Sequence, residues 1–424
     1  MIRRAALAIV AASALLASGL VACNAIVGIQ DVRLKKDAGG GDDEEPIEEE
    51  DADVPDNVVP PPQNVLEVAL GEAHACARRP AGTVKCWGDD RSGQSGSGLA
   101  TDAGLHNEPV DVTGIDDAVD IAAGRAHTCV ARKSGKVSCW GFNNDGQLGN
   151  GQTGTTEPEP VDALSIADAV AVAAGSTFSC AARRGGGVAC WGNNNSGQLG
   201  TGNTTPSPSP IPVPNLKDVT AIAAGQVHAC AVKKDGSVSC WGEGTNGQLG
   251  TGQVGGSPSP VAVTTLPESV AVAATERSTC ALARAGTVYC WGANEVGQLG
   301  NGAPNSSPNP SPIVVSSLND AIAIAAGKNH VCAVRKAGSV VCWGAGGNGQ
   351  LGDGQSRPDA SAAQATIVTV SGLTDAIGVG AGGNASCAPT RSGAIACWGA
   401  NDRGQLGNRS TVPELSPVDV IGYP

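Results

Sequence analysis

Apolar and polar positions along the chain fall into short blocks that recur. A small apolar run such as Ala118-Val119-Asp120-Ile121-Ala122-Ala123-Gly124 comes first. Two β-rich segments follow, each centred on a cysteine: one around Cys129, the other Val137-Ser138-Cys139-Trp140-Gly141. A glycine-rich turn, Asn143 to Gly149, and a loop of variable length then lead to a Pro-Val segment of the kind seen at Pro109-Val110-Asp111-Val112. Four short strands per unit, punctuated by turn residues, predict an all-β chain. The unit occurs seven times, with tryptophans at 87, 140, 191, 241, 291, 343 and 398, spaced 53, 51, 50, 50, 52 and 55 residues apart. A period near fifty marks one supersecondary unit in an array. Four-stranded units repeated around an axis predict a seven-bladed β-propeller with the small Ala-Ala-Gly strands at the crowded centre and the tryptophans packed between blades.

The array opens with Val65 to Gly71 and closes with Pro417-Val418-Asp419-Val420. These ends predict a ring closed by pairing of the N- and C-terminal strands, which would complete one blade from both termini.

The cysteines fall into pairs ten positions apart in every copy: Cys76 with Cys86, Cys129 with Cys139, Cys180 with Cys190, Cys230 with Cys240, Cys280 with Cys290, Cys332 with Cys342 and Cys387 with Cys397. A three-residue loop such as Lys133-Ser134-Gly135 puts the two cysteines of a pair opposite each other. This loop type favours glycine at its last position, and all seven copies have it, at 82, 135, 186, 236, 286, 338 and 393. Opposed strand residues have α-carbons about 4.5–5.5 Å apart, within the span of a disulfide. Seven disulfides within blades are therefore expected, each worth about 2–3 kcal/mol on the chain-entropy model. Three other readings exist. Helical hairpins are disfavoured by the central glycine and the Val/Thr/Ser content. Zinc is suggested by His74, His127, His228 and His330, two residues before their cysteines, but the matching positions elsewhere are Phe178, Ser278 and Ala385. Reduced thiols are the third, and the compartment decides against them.

That compartment is read from the N-terminus. Met1-Ile2-Arg3-Arg4 and an apolar run from Ala5 to Ala17 have the layout of a secretory signal. Leu20-Val21-Ala22-Cys23 resembles a bacterial lipobox, so residues 1–22 are expected to be a lipoprotein signal peptide and Cys23 the lipidated first residue. Export also permits disulfides. Residues 23–62 read as an acidic, Pro-rich linker, with eleven acidic and no basic residues between Asp37 and Pro62. Residues 63–424 form the propeller.

The formal net charge is −13, and with that linker set aside the rest is only mildly acidic. No basic stripe suggests a nucleic-acid partner. No nucleophile elbow, zincin motif or phosphate loop stands out, so no catalysis, metal or cofactor is expected. His106 is placed in a loop. The constant ring with loops that vary after Gln-Leu-Gly (Gly149 to Glu159, Gly200 to Pro210, Asn301 to Pro312, Gly352 to Ala365) reads as a recognition scaffold.

Gln-Leu-Gly at 147–149, 198–200, 248–250, 298–300, 350–352 and 405–407, with Gly-x-x-His-x-Cys and Val-x-Cys-Trp-Gly, resembles the regulator-of-chromosome-condensation repeat. The likeness runs over residues 65–421; copy one has Gln94-Ser95-Gly96 and copy five has Thr275 for glycine. It implies a seven-bladed propeller, similar to beta-lactamase-inhibitor-protein-II-like propellers, here on a bacterial lipoprotein. The expected function is a monomeric scaffold anchored to the cell envelope, at the outer membrane or cell surface, binding an envelope or secreted protein, or a glycan. Two alternatives are a guanine-nucleotide-exchange-type regulator, by family resemblance, and an enzyme with its site in the central channel.

Overall fold

The computed structural model describes residues 67–98, 104–357 and 364–423. The expected signal peptide, Cys23 and the acidic linker lie outside these residues. All regular structure described is β: seven four-stranded antiparallel sheets, over residues 67–111, 118–162, 169–212, 219–262, 269–314, 321–369 and 380–419. Blade two shows the plan. Its strands, from the axis outward, are Ala118–Ala123, His127–Arg132, Val137–Asn143 and Thr155–Asp162.

The expected register is observed. Cys129 faces Cys139, and Arg132 and Lys136 flank the three-residue turn, with Gly135 at φ 83°. The other six pairs are opposed in the same way: Cys76 faces Cys86, Cys180 faces Cys190 and Cys230 faces Cys240. Likewise Cys280 faces Cys290, Cys332 faces Cys342 and Cys387 faces Cys397. All seven are bridged within their blades. Their α-carbons are 4.0–4.1 Å apart, closer than the 4.5–5.5 Å the sequence suggested.

The expectation for ring closure is corrected. Each sheet is built from one continuous stretch, and blade one is complete with Glu67–Leu70 as its inner strand and Leu105–Asp111 as its outer one. The Pro-Val strand pairs with the third strand of its own unit, so neither end lacks a partner to borrow. The first and last blades instead meet face to face. Leu70 takes the place of the usual alanine, and glycines 380 and 382 of blade seven give it room: a Cβ on Gly380 would lie 3.0 Å from Leu70 Cδ1 and 2.5 Å from Val68 O.

Neighbouring blades are joined by contacts repeated around the ring. Every tryptophan is buried, and its indole N–H donates at 2.8–3.0 Å to the carbonyl of the Gln-Leu-Gly glutamine (Gln94 in copy one) of the preceding blade. The glycine of that turn lies flat against the same indole; a Cβ on Gly149 would be 2.8 Å from Trp191 Nε1. Further out, Gly151 N donates to Pro208 O of the next blade, and Gly202, Gly252, Gly302 and Gly354 repeat the bond. Across the closure the bond is Arg409 N to Asn107 O, reinforced by an ion pair between Arg409 and Glu108 at 2.7 Å. Tyr423 fills at this seam the place held elsewhere by Ile115, Ile166, Leu216, Leu266, Leu318 and Leu373, and packs on Trp87 with ring centroids 6.3 Å apart.

The outer strands carry prolines at alternate positions, such as 208, 210 and 212, or 308, 310 and 312. Proline has no N–H to offer, which blunts an edge that would otherwise template further pairing.

Candidate binding faces of the ring

The two ends of the ring differ in what they display. One face carries the turns between first and second strands and the Gln-Leu-Gly loops. The other carries the cystine hairpin tips and the links between blades.

On the loop face a cavity of about 240 Å³ opens along the axis. Its walls are the expected small residues, among them Ala123, Ala174, Ala224 and Ala326, with Leu70 from blade one. Its mouth is ringed by the residue after each repeat glycine, or after Thr275 in blade five: Glu72, Arg125, Ser176, Gln226, Glu276, Lys328 and Gly383. Arg125 Nε donates to Glu72 at 2.7 Å. The wall is therefore apolar and the mouth ionic.

Beside it lies a groove of about 710 Å³ over blades seven, one and two. Arg91, Arg125, Arg403, Glu72, Asp402 and the half-exposed Phe142 line it. Asp89 holds Arg91 through two bonds of 2.7 and 3.0 Å. Phe142 matters because aromatics are 3% of the chain and every tryptophan is buried.

The repeat histidines are not on the axis. Each lies between blades, its Nε2 2.8–2.9 Å from a hydroxyl of the next blade: His74 to Thr128, His127 to Ser179, His228 to Thr279 and His330 to Ser386. Ser179, Thr279 and Ser386 donate onward to the carbonyls of Gln147, Gln248 and Gln350, which also receive the indole N–H. A hydroxyl that donates to a carbonyl must accept from the imidazole, so Nε2 carries the proton in these three. Burial lowers the pKa to about 4 for His74, His228 and His330 and to about 3 for His127. The rings are neutral spacers. Among the described residues no group of three His, Cys, Asp or Glu side chains is placed to hold a metal.

Two departures from the repeat turn out to be one. Blade five lacks the histidine, having Ser278, and lacks the glycine, having Thr275. The Thr275 and Ser278 hydroxyls are 2.7 Å apart and buried in the ring's slot. In blade three the buried Phe178 ring fills the same place against Gly175.

Blade one holds what the sequence reading missed. His106 is on the outer strand, opposite Gly88, rather than in a loop. Its Nε2 is 3.2 Å from Asp90, whose other oxygen accepts Ser95 N at 2.8 Å. In blades two, three, five and seven an asparagine stands at this position and its oxygen takes the leucine N–H of Gln-Leu-Gly. Burial raises the pKa of Asp90, but the bonds from His106 and Ser95 outweigh it and hold the carboxyl below its usual range. Deeper in the blade, Arg78 Nε donates to Glu67 at 2.9 Å with both side chains buried. Asp120 of blade two lies against Glu67 and accepts Val172 N of blade three at 2.7 Å. Burial raises the pKa of Glu67 despite Arg78, and burial with the neighbouring Glu67 charge raises that of Asp120 well above the usual value. The equivalent inner-strand residues are Ala171, Ala221, Ala271 and Ala323, so a comparison of copies alone could have singled out both acids.

Comparison with known proteins agrees with this geometry. The RCC1-like domain model matches residues 34–318, and the regulator of chromosome condensation (RCC1) repeat model matches residues 321–350. The Arabidopsis thaliana ultraviolet-B receptor UVR8 is 33% identical over 156 residues, 36% of this chain and 35% of the receptor. A probable human E3 ubiquitin-protein ligase, HERC4, is 34% identical over 33% of this chain and 13% of the ligase. The chain thus matches about a third or less of the length of these relatives. Human WBSCR16 superimposes with a TM-score of 0.71 over 80% of this chain and 94% of its own, at 24% identity. Yeast RCC1 (Prp20), in its complex with Kap60, gives 0.70 over 92% and 91% at 19% identity, a likeness of fold.

Proposed function

Because the chain belongs to the RCC1-like family, we propose that it is a non-catalytic scaffold, held on the bacterial cell envelope by lipid at Cys23, that recognises an envelope or secreted protein through its loop face. The observation that carries this reading is the groove over blades seven, one and two. A partner loop could place an apolar side chain on Phe142 and an acidic one near Arg403 and Arg125. Anchors of this kind, an aromatic in a recess with arginine beside it, dominate the energetics of protein interfaces. The variable loops are partly committed elsewhere. Gly151, Gly202, Gly302 and Gly354 dock them on the next blade, which leaves the groove as the more open surface.

The relatives lend the reading a precedent in kind. Yeast Prp20 was crystallised with Kap60, and a second study of it describes binding to Gsp1p and histones. An exchange-type role would need a nucleotide-bound partner outside the cytoplasm, so binding without exchange is preferred. The test is affinity capture from envelope extract with the full chain and with a Phe142→Ala/Arg403→Glu variant. A partner retained by the first and lost by the second supports the groove. Equal retention places the interface elsewhere. Independently, Cys23→Ala should release the protein from membranes; if it stays bound, the anchor is wrong.

A further inference from the structure

The axial well has the makings of a site of its own, separate from the groove beside it. Its wall is nearly uniform. Ala174, Ala224, Ala274 and Ala326 present methyl groups, and Leu70 of blade one adds a larger apolar surface. Deeper down it is lined by Val172, whose N–H is already taken by the Asp120 carboxyl at 2.7 Å. Volume restricts what can enter. A cavity of about 150 Å³ with an apolar lining admits benzene, whereas drug-sized ligands need about 300 Å³ or more. At about 240 Å³ the well takes a group the size of a branched aliphatic chain or a phenyl ring and is too small for an oligopeptide or an oligosaccharide.

The rim contains two steps from a glutamate to a cation with the same backbone. Glu72 N donates to Arg125 O at 3.1 Å between blades one and two, and Glu276 N donates to Lys328 O at 3.0 Å between blades five and six. At the first step the side chains close on each other, with Arg125 and Glu72 2.7 Å apart. At the second they do not: among the described residues neither the Glu276 carboxylate nor the Lys328 ammonium has a partner. The neighbouring Arg277 is turned to Glu295 at 3.5 Å and leaves Glu276 open. Beyond Lys328 the rim has a notch, because blade seven carries Gly383, where a Cβ would collide with Glu72 O. One carboxylate and one ammonium thus stand open on adjacent blades above an apolar well, across the mouth from a pair that is closed.

We propose that the axial well binds a free α-amino acid with an apolar side chain, its ammonium at Glu276, its carboxylate at Lys328 and its side chain down the well toward Leu70. A zwitterion answers both rim charges at once, where a plain amine or carboxylate leaves one unanswered. The site does not depend on the groove reading, since Phe142 and Arg403 take no part in it.

The experiment is equilibrium dialysis of the full chain against isotope-labelled L-leucine and three labelled analogues. Glycine lacks the side chain, 3-methylbutylamine lacks the carboxylate and 4-methylpentanoate lacks the ammonium. One L-leucine per chain is expected, and each analogue should bind at least about tenfold more weakly, the cost of a missing charge-assisted bond or an empty well. Lys328→Gln should weaken L-leucine about tenfold and leave the amine unchanged; Glu276→Gln should weaken it equally and leave the carboxylate unchanged. Ala274→Phe fills the well without touching the rim and should abolish binding, with near-ultraviolet circular dichroism verifying the fold. If that variant does not fold, the two rim variants carry the test. No binding of L-leucine at millimolar concentration, analogues that bind as tightly as L-leucine, or binding indifferent to both rim variants or to a folded Ala274→Phe would each overturn the proposal.

Discussion

Trp87 donates its indole N–H to the carbonyl of Gln405 at 2.9 Å, joining positions 318 residues apart with the bond that links every other pair of neighbouring blades. At the other six interfaces the chain itself runs from one blade to the next. Here it does not, so the seam between blades seven and one depends on this bond, the Arg409–Glu108 pair and the Tyr423 contact. Trp87→Phe keeps most of the apolar bulk and leaves the Gln405 carbonyl without its donor. A loss of about 1–3 kcal/mol in urea unfolding is expected, the cost of an unsatisfied buried acceptor.

The four inter-blade histidines predict acid sensitivity. Their folded pKa values, about 3 to 4, lie below the unfolded value of 6.5. The unfolded chain therefore takes up protons first, and the stability these groups confer is present above pH 6.5 and is lost as pH falls toward 4. Each contributes about 1.4 kcal/mol per pH unit in that window, or about 2 kcal/mol between pH 6.5 and 5. His127→Phe copies the arrangement of Phe178 in blade three. It should flatten the stability profile by about one proton's worth, read from urea melts at pH 7 and 5.

The buried Glu67–Arg78 pair and Asp120 predict asymmetric mutational costs. Arg78→Leu alone removes the cation and leaves two carboxyl groups inside, a loss of about 3–5 kcal/mol. Replacing all three with the residues of other copies, Glu67→Ala, Arg78→Leu and Asp120→Ala, should cost far less, because no charge is then stranded. Denaturation of the single and triple variants distinguishes the cases.

Where one blade passes to the next, the chain takes a positive φ in every copy. Glycine supplies it at 114, 372 and 422, but Ser165, Asn215, Thr265 and Ser317 adopt 56–62°. Thr265 is β-branched and bears the largest steric penalty, so Thr265→Gly should stabilise by about 1 kcal/mol after the entropy of glycine is deducted. Gly422→Val at the equivalent place should destabilise. Thermal melts read both.

The fourteen paired cysteines are fully buried and bridged. In denaturant without reductant none of them should react with a thiol reagent; several reacting groups per chain would contradict the pairing.

How far the sequence reached follows from repetition. Seven copies of one hairpin put Cys129 opposite Cys139 and Gly135 at the turn, because each residue is checked against six others in the same chain. What could not be read depends on contacts between copies. The ring-closing topology is not legible because the Pro-Val strand at the end of a unit looks like one waiting for a partner, whereas it already pairs within its blade. His106 reads as a loop residue in the sequence, and its partner Asp90 is recognised only by comparing it with the asparagines of the other blades. The compensation of Thr275 and Ser278 needed the packing, since neither substitution explains itself alone. The groove around Phe142 and Arg403 had no linear signature at all.

Self-contained blades carry one further consequence. Since no sheet borrows a strand, the point where the polypeptide is cut is arbitrary as far as the ring is concerned. Glu67 and Tyr423 both lie beside Arg78 and Arg79 on blade one. A short splice between them, with new ends opened at any of the six links between blades, should give a circular permutant with all seven cystines and the same indole-to-carbonyl girdle.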